Sequence, residues 1–267
     1  MAGLQPIRAI ERGISVMRVL EELGTASLHQ LHEKTGLHRT TLLRILLTLE
    51  QQELVRRGLG DGLYRNTFGL RRMTGTLDEF DRLAEVAGPV LGRLCETVKW
   101  PSDLMVRNGH FMEIKETSRR QTPFLVNRDE IGHQVSFCVT AVGRAYLAFC
   151  PTEEHDEILE GLRNSTNPAD QIAQTPEKLM PILEKVRTQG YATRDEFYLG
   201  GNYREAAYFD DGLSAISVPV RLEEQVPGCV NLVWMRQAVP LENFVANHLS
   251  DLQAATAEIA DAYRAAA

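Results

Sequence analysis

His38-Arg39-Thr40-Thr41 and Arg44 place short hydroxyls, an imidazole and two guanidinium groups close together in the chain. Such groups do recognition chemistry: they hydrogen-bond phosphate oxygens and base edges. Arg56, Arg57 and Arg65 follow on either side of Gly58-Leu59-Gly60-Asp61-Gly62 and add positive charge suited to a phosphate backbone. The spacing predicts the elements that hold them. Ser27 caps a first helix, and Gly36 fits the left-handed residue that ends it. A second helix opens at His38, with Leu42, Ile45, Leu46 and Leu49 as its buried stripe. Thr40, Thr41 and Arg44 fall off that stripe. Helix, tight turn, helix and hairpin together read as a winged helix-turn-helix, with Arg39 and Arg44 as the foremost base or phosphate readers. Ser27 and His38 belong to the same expected double-stranded DNA contact.

Charge supports this reading. Residues 1–75 carry 11 Lys+Arg against 7 Asp+Glu, a formal +4, while the whole chain is −7 and the remainder therefore −11. A basic N-terminal part on an acidic body suits a DNA-binding head, since the body repels DNA and orients it. No apolar run approaches a membrane span, and the N-terminus lacks signal-peptide character, so a cytoplasmic protein without a membrane partner is expected. Cys95, Cys138, Cys150 and Cys229 are widely spaced and read as reduced core thiols. His29, His32 and His38 read as ordinary histidines of a small helical domain, so no metal and no cofactor is expected.

Enzyme signatures are missing from the sequence: there is no Gly-x-Ser-x-Gly elbow, His-Glu-x-x-His or phosphate loop. Gly58–Gly62 precedes a strand rather than a helix, which argues against a nucleotide loop. A hydrolase or lyase acting on a small carboxylate, with an accessory winged helix, is the alternative of a different class.

The rest of the chain predicts an α+β body with an antiparallel sheet. A first helix spans Pro6–Leu23 with Ile10, Ile14, Met17 and Leu20 inward. Residues 68–98 are helical, broken at Gly88-Pro89. Strands are expected at Asp103–Arg107 and His110–Glu116 around an Asn108-Gly109 turn, at 135–137, 206–209, Leu213–Val220 and Cys229–Met235. Helices are expected at 140–149, 152–162, 176–189 and Leu241–Ala265. The segment 119–134 reads as polar and irregular. The domains expected are 1–75 for DNA, 76–98 as a helical linker and 99–267 for a ligand.

The order of parts resembles the IclR family of bacterial transcription regulators. Gly36-Leu37-His38-Arg39-Thr40-Thr41, Leu54-Val55-Arg56-Arg57, Thr140-Ala141-Val142-Gly143-Arg144-Ala145-Tyr146-Leu147-Ala148, Gly190-Tyr191 and Ala215-Ile216-Ser217-Val218-Pro219-Val220 carry the resemblance, which covers nearly the whole chain. Trp100-Pro101-Ser102-Asp103 and Gly228-Cys229-Val230-Asn231-Leu232-Val233-Trp234-Met235 are similar to regulators of aromatic-acid degradation within it. The resemblance implies a homodimer or dimer of dimers on operator DNA, with a GAF-like domain sensing a small organic acid. It places the acid against the backbone N–H groups of Ala141 and Val142, with Ser217 facing it and the loop 194–204 lining it. Arg194 and Arg204 either bind its carboxylate or are solvated loop residues. Asn231 either faces the pocket or hydrogen-bonds across the sheet, and Phe124 and Leu125 either cover an aromatic ring or anchor their segment to the core.

Overall fold

Apolar residues at helical spacing shape the first part of the chain into α1 (Arg8–Leu23), α2 (Leu28–Thr35) and α3 (Arg39–Gln51). The structure, a computed structural model, describes residues 5–74, 79–124, 131–203 and 210–266. The chain divides into two units, Met1–Leu77 and Asp78–Ala267. In the first, Val16 and Leu20 of α1 pack on Leu31 of α2 and on Leu42, Leu46 and Leu49 of α3. The α3 stripe follows the sequence pattern. The α1 stripe does not: Ile10 and Ile14 are exposed, because Val16, Val19 and Leu20 form the face toward the core. A hairpin of β1 (Val55–Arg57) and β2 (Tyr64–Asn66) follows, and α4 (Phe68–Thr74) ends the described part of this unit. Tyr64 exchanges both backbone hydrogen bonds with Ala26, which ties the hairpin to the start of α2.

The second unit begins with α5 (Glu79–Val98), which continues through Gly88-Pro89. Burial of Leu83, Ala87, Val90 and Leu91 outweighs the hydrogen bond that Pro89 cannot donate. The span expected as a linker is thus a packed helix of the C-terminal unit.

β3 (Ser102–Asn108), β4 (Phe111–Thr117), β5 (Gln134–Val135), β6 (Ala192–Thr193), β7 (Leu213–Leu222) and β8 (Gln225–Met235) form one antiparallel sheet in the order β5-β4-β3-β8-β7-β6. Asn108 pairs with Phe111, so the turn residues are Gly109-His110, one place later than the sequence suggests, with Gly109 at positive φ. Alternation along the strands feeds two cores. Leu104, Val106, Val230 and Trp234 join α5 and α9 (Leu241–Ala265). Met105, Ile114 and Cys229 join α6 (Ala141–Phe149), α7 (Thr152–Arg163) and α8 (Pro176–Gln189). The α+β expectation is met. The strand expected at 206–209 lies outside the described residues.

Candidate functional site

The two HTH helices begin in different ways. Ser27 and Gln30 form a reciprocal capping box on α2: the Gln30 backbone N–H donates to Ser27 Oγ at 3.2 Å, and the Ser27 N–H donates to Gln30 Oε1 at 2.8 Å. Gly36 has φ +67 and donates its N–H to the His32 carbonyl. His32 Nδ1 lies 2.7 Å from the Leu37 carbonyl oxygen, so the ring is part of the turn. α3 has no side-chain cap at His38. The N–H groups of Arg39, Thr40 and Thr41 find no acceptor among the described residues. Unpaired N–H groups at a helix start carry positive potential that favours anions. Arg39, Thr40 and Arg44 are exposed around it, Thr41 is half-buried, and His38 is exposed.

The hairpin holds its arginines unequally. Arg65 pairs with Asp61 across the tip, and Arg57 donates from Nε to the Gly62 carbonyl at 2.8 Å while its guanidinium faces the Tyr64 ring. The Leu63 backbone N–H and Arg65 hold the Asp61 carboxyl below the ordinary carboxylate range. Arg56, opposite Arg65 in the register, has no such partner among the described residues. Arg57 and Arg65 shape the tip, because Asp61 and Gly62 supply acceptors within reach.

The C-terminal unit contains a cavity of about 60 Å³ against the sheet. Ala141, Val142, Arg194 and Asn231 all line it. α6 begins at its wall. Thr140 caps the helix through Gly143 N–H, and the Ala141 and Val142 N–H groups have no acceptor among the described residues. Gly143 is required here, since a Cβ would lie 2.3 Å from the Phe137 Cα. Arg194 donates from Nη2 to Asp211 at 2.8 Å and to the Tyr198 carbonyl at 2.9 Å. Its side chain is 9% exposed, and Nε has no partner among the described residues. Across the sheet, Asn231 accepts from the Asp103 N–H and donates to Asp103 Oδ2, so it does both things expected of it: it faces the cavity and crosses the sheet.

Ser217 is placed differently from the sequence expectation, and Phe124 takes the anchoring alternative of its two. Ser217 is fully buried and donates to the Val230 carbonyl at 2.9 Å, since the neighbouring strand offers the nearest acceptor. Phe124 stacks on Trp100 with ring centroids 4.2 Å apart and anchors its segment there. Neither lines the cavity. Leu125 and Arg204 lie outside the described residues.

Family models decide the identity. The bacterial transcriptional regulator IclR C-terminal model matches residues 75–261, and the IclR helix-turn-helix model matches residues 9–58. The chain belongs to the IclR family. It is a DNA-binding transcriptional regulator with a helix-turn-helix domain and a C-terminal effector-binding domain. The HTH-type transcriptional repressor AllR of Salmonella typhi is 25% identical over 215 residues, spanning 79% of this chain and 77% of that protein. An IclR-family regulator from Brucella abortus shares the fold at 22% identity and a TM-score of 0.55, covering 97% of this chain and 93% of that one. An IclR homolog from Microbacterium hydrocarbonoxydans, solved with 4-hydroxybenzoate, shares it at 20% identity and a TM-score of 0.53, covering 96% and 99%.

This IclR-family cavity holds residues that the sequence did not single out. Asp103 is fully buried and accepts from Arg119 Nε and Nη2, both at 2.8 Å, and from Thr117 Oγ1 at 2.8 Å. Arg119 was expected in a polar irregular segment, yet its side chain is only 6% exposed. A carboxylate directly before the apolar run Leu104-Met105-Val106 was the signal available for Asp103. Nothing local marks Arg119, because its burial depends on a partner on another strand. Burial pushes the Asp103 carboxyl up, but Arg119 and the hydrogen bonds from Thr117 and Asn231 hold it below the ordinary range. A carboxylate depressed on folding stabilises above its unfolded pKa of about 3.9 and loses that contribution as pH falls through its folded value. Urea denaturation read by tryptophan fluorescence should show wild type losing stability below about pH 4. Asp103→Asn should lose less over the same interval. Equal losses would show that Asp103 does not govern this acid limb.

Among the described residues, no helix is long and apolar enough to cross a membrane, and no group of His, Cys, Asp and Glu is arranged for a metal.

Proposed function

We propose that residues 1–75 bind operator DNA as part of a dimer, or of a pair of dimers, and that a small organic acid in the cavity of the C-terminal unit controls that binding. On this reading Arg39, Thr40, Thr41 and Arg44 enter the major groove and Arg56 contacts the backbone. The uncapped start of α3 supports it: donors and cations face solvent at the end where a recognition helix meets DNA. Ile7 before α1, Ile10 and Ile14 on α1, and Leu43 and Leu47 on α3 are exposed large apolar side chains of this unit. A second copy covering them is the dimer this reading requires.

The observation that carries the acid assignment is the meeting of Ala141 N–H, Val142 N–H and Arg194 in one cavity. Helix dipole, unpaired N–H groups and a buried guanidinium all favour a carboxylate. The similarity of Trp100–Asp103 and Gly228–Met235 to regulators of aromatic-acid degradation argues for an aromatic acid from a catabolic pathway. Met105, Ile114, Val135 and Val142 are the walls a ring would touch. The cavity volume weighs against a ring. An enzyme reading is weaker, because Asp103 and Asp211 are each held in an ion pair with an arginine.

Fluorescence anisotropy with an operator duplex selected from random-sequence DNA tests the contacts. Arg39→Ala should weaken binding by about 1–3 kcal/mol at fixed salt. Arg65→Ala should weaken it less, since Asp61 already neutralises that side chain. Unchanged binding by Arg39→Ala would remove Arg39 from the interface.

A further inference from the structure

A groove of about 780 Å³ in the C-terminal unit runs between the short helix Pro168–Gln174, the residues just before it and the loop 195–203. It shares Tyr198 and Gly200 with the cavity beside α6 and is otherwise lined by different residues. Val139, Pro168, Phe197 and Leu199 make its apolar side, and Ser136, Ser165 and Tyr203 bring hydroxyls to it. No Lys, Arg or His lines it among the described residues. Asp170 stands behind the hydroxyls and is fully buried. Ser136 Oγ donates to its Oδ1 at 2.9 Å, Ser165 Oγ to its Oδ2 at 2.7 Å, and the Tyr203 hydroxyl to the same Oδ2. The other carboxylate of the groove, Asp195, is balanced by Arg144 at 2.5 Å. Asp170 has no such counter-charge among the described residues, and a buried carboxylate without one is costly.

The hydrogen bonds to Asp170 also fix what the groove offers a ligand. A hydroxyl has one hydrogen and two lone pairs. Ser136, Ser165 and Tyr203 each spend the hydrogen on the carboxylate. Ser136 accepts from the Cys138 N–H and Ser165 from the Asn167 N–H, which leaves a lone pair on each. The Tyr198 hydroxyl is used in the same sense, donating to the Gly201 carbonyl at 3.0 Å. These oxygens are left as acceptors backed by a negative charge, which suits a ligand that brings N–H donors and a positive charge. Phe197 is 82% exposed and Leu199 44%, so the groove also holds out apolar surface, including an aromatic ring, for the body of that ligand.

We propose that this groove is a second small-molecule site, for a primary ammonium carrying an aromatic body. The ammonium sits on the hydroxyls of Ser136, Ser165 and Tyr203 in front of Asp170, and the ring lies against Phe197. The proposal is independent of the acid reading: the two sites call for opposite charges, and either fails without the other.

Isothermal titration calorimetry on the full chain tests it with phenethylamine, 2-phenylethanol and ethylamine. 2-Phenylethanol keeps the body and replaces the ammonium by a neutral hydroxyl, and ethylamine keeps the ammonium and drops the ring. Phenethylamine should bind at least about tenfold tighter than 2-phenylethanol, the least that a hydrogen bond to a charged group is worth. Ethylamine should fall below phenethylamine. Phe197→Ser, at an exposed position, should weaken phenethylamine by about three- to tenfold and leave ethylamine unchanged. Asp170→Asn should remove the preference for phenethylamine over 2-phenylethanol. Should that variant fail to fold, Tyr203→Phe, which keeps the carboxylate and removes one acceptor, should weaken phenethylamine by about tenfold. Equal affinity for phenethylamine and 2-phenylethanol would overturn the charge requirement. Phenethylamine binding unmoved by both Phe197→Ser and Tyr203→Phe would place the amine outside this groove. Absence of amine binding would overturn the site, and self-association abolished by Phe197→Ser would then assign the groove to a second copy of the chain.

Discussion

Asp103→Ala should destabilise the C-terminal unit by about 3–5 kcal/mol, the range for removing one partner of a buried ion pair. Asp103 and Arg119 are 1% and 6% exposed at their side chains, and they meet through two parallel hydrogen bonds of 2.8 Å. Deleting the carboxylate leaves the guanidinium facing a site without its counter-charge, and also removes the acceptor used by Thr117 and Asn231. The double replacement Asp103→Leu with Arg119→Met should recover much of the loss, because an apolar pair of similar volume has no desolvation cost. Urea denaturation reads this cleanly. Both tryptophans, Trp100 and Trp234, lie in Asp78–Ala267, so intrinsic fluorescence follows that unit and not the DNA-binding one. A loss below about 1 kcal/mol in Asp103→Ala would mean that the pair is hydrated and screened like a surface one. A double variant as unstable as the single one would place the cost in packing rather than charge.

The legible features were those encoded locally. Ser27, Gly36 and the Leu42–Leu46–Leu49 stripe define their helices with no help from distant residues, and each is found as read. Thr140 likewise announces α6, and with it the cavity wall at Ala141 and Val142. Features that depend on a partner far along the chain were not legible. α1 has apolar residues on more than one side, and only the packing of α2 and α3 decides that Val16 and Leu20 face in while Ile10 and Ile14 face out. Pro89 looks like a helix start until α9 and the sheet bury the residues around it. Arg119 looks like a loop residue until β3 brings Asp103 to it. The arginines of the hairpin show the same limit within one element. Their charge was readable, but whether Asp61 would claim Arg65 depended on the geometry of the tip.

Arg194→Gln should weaken acid binding by about 1.5–3 kcal/mol, or roughly 10- to 150-fold, the worth of a hydrogen bond to a charged group. Arg194 is the one basic residue of the cavity with a donor, Nε, left unpartnered among the described residues, in a side chain more than nine-tenths buried. Its other contacts, Asp211 and the Tyr198 carbonyl, fix the guanidinium before a ligand arrives, so little entropy is lost on binding. Arg194→Lys keeps the charge but not the planar fork and should fall between wild type and Gln. Calorimetry with the acid that binds wild type measures the affinity. Operator anisotropy without acid should be unchanged, because Arg194 belongs to Asp78–Ala267 and its hydrogen-bond partners, Tyr198 and Asp211, belong to the same unit. Titrating acid into the protein–operator complex then separates two roles. A ligand shifts DNA affinity only by its unequal affinity for two conformations. If Arg194 merely holds the carboxylate, Arg194→Gln needs more acid but reaches the same final change in operator affinity. If the break from Asp211 is itself the difference between the conformations, the final change shrinks even at saturation. Equal acid affinity in wild type and Arg194→Gln would exclude both roles and leave the α6 terminus as the carboxylate's sole anchor.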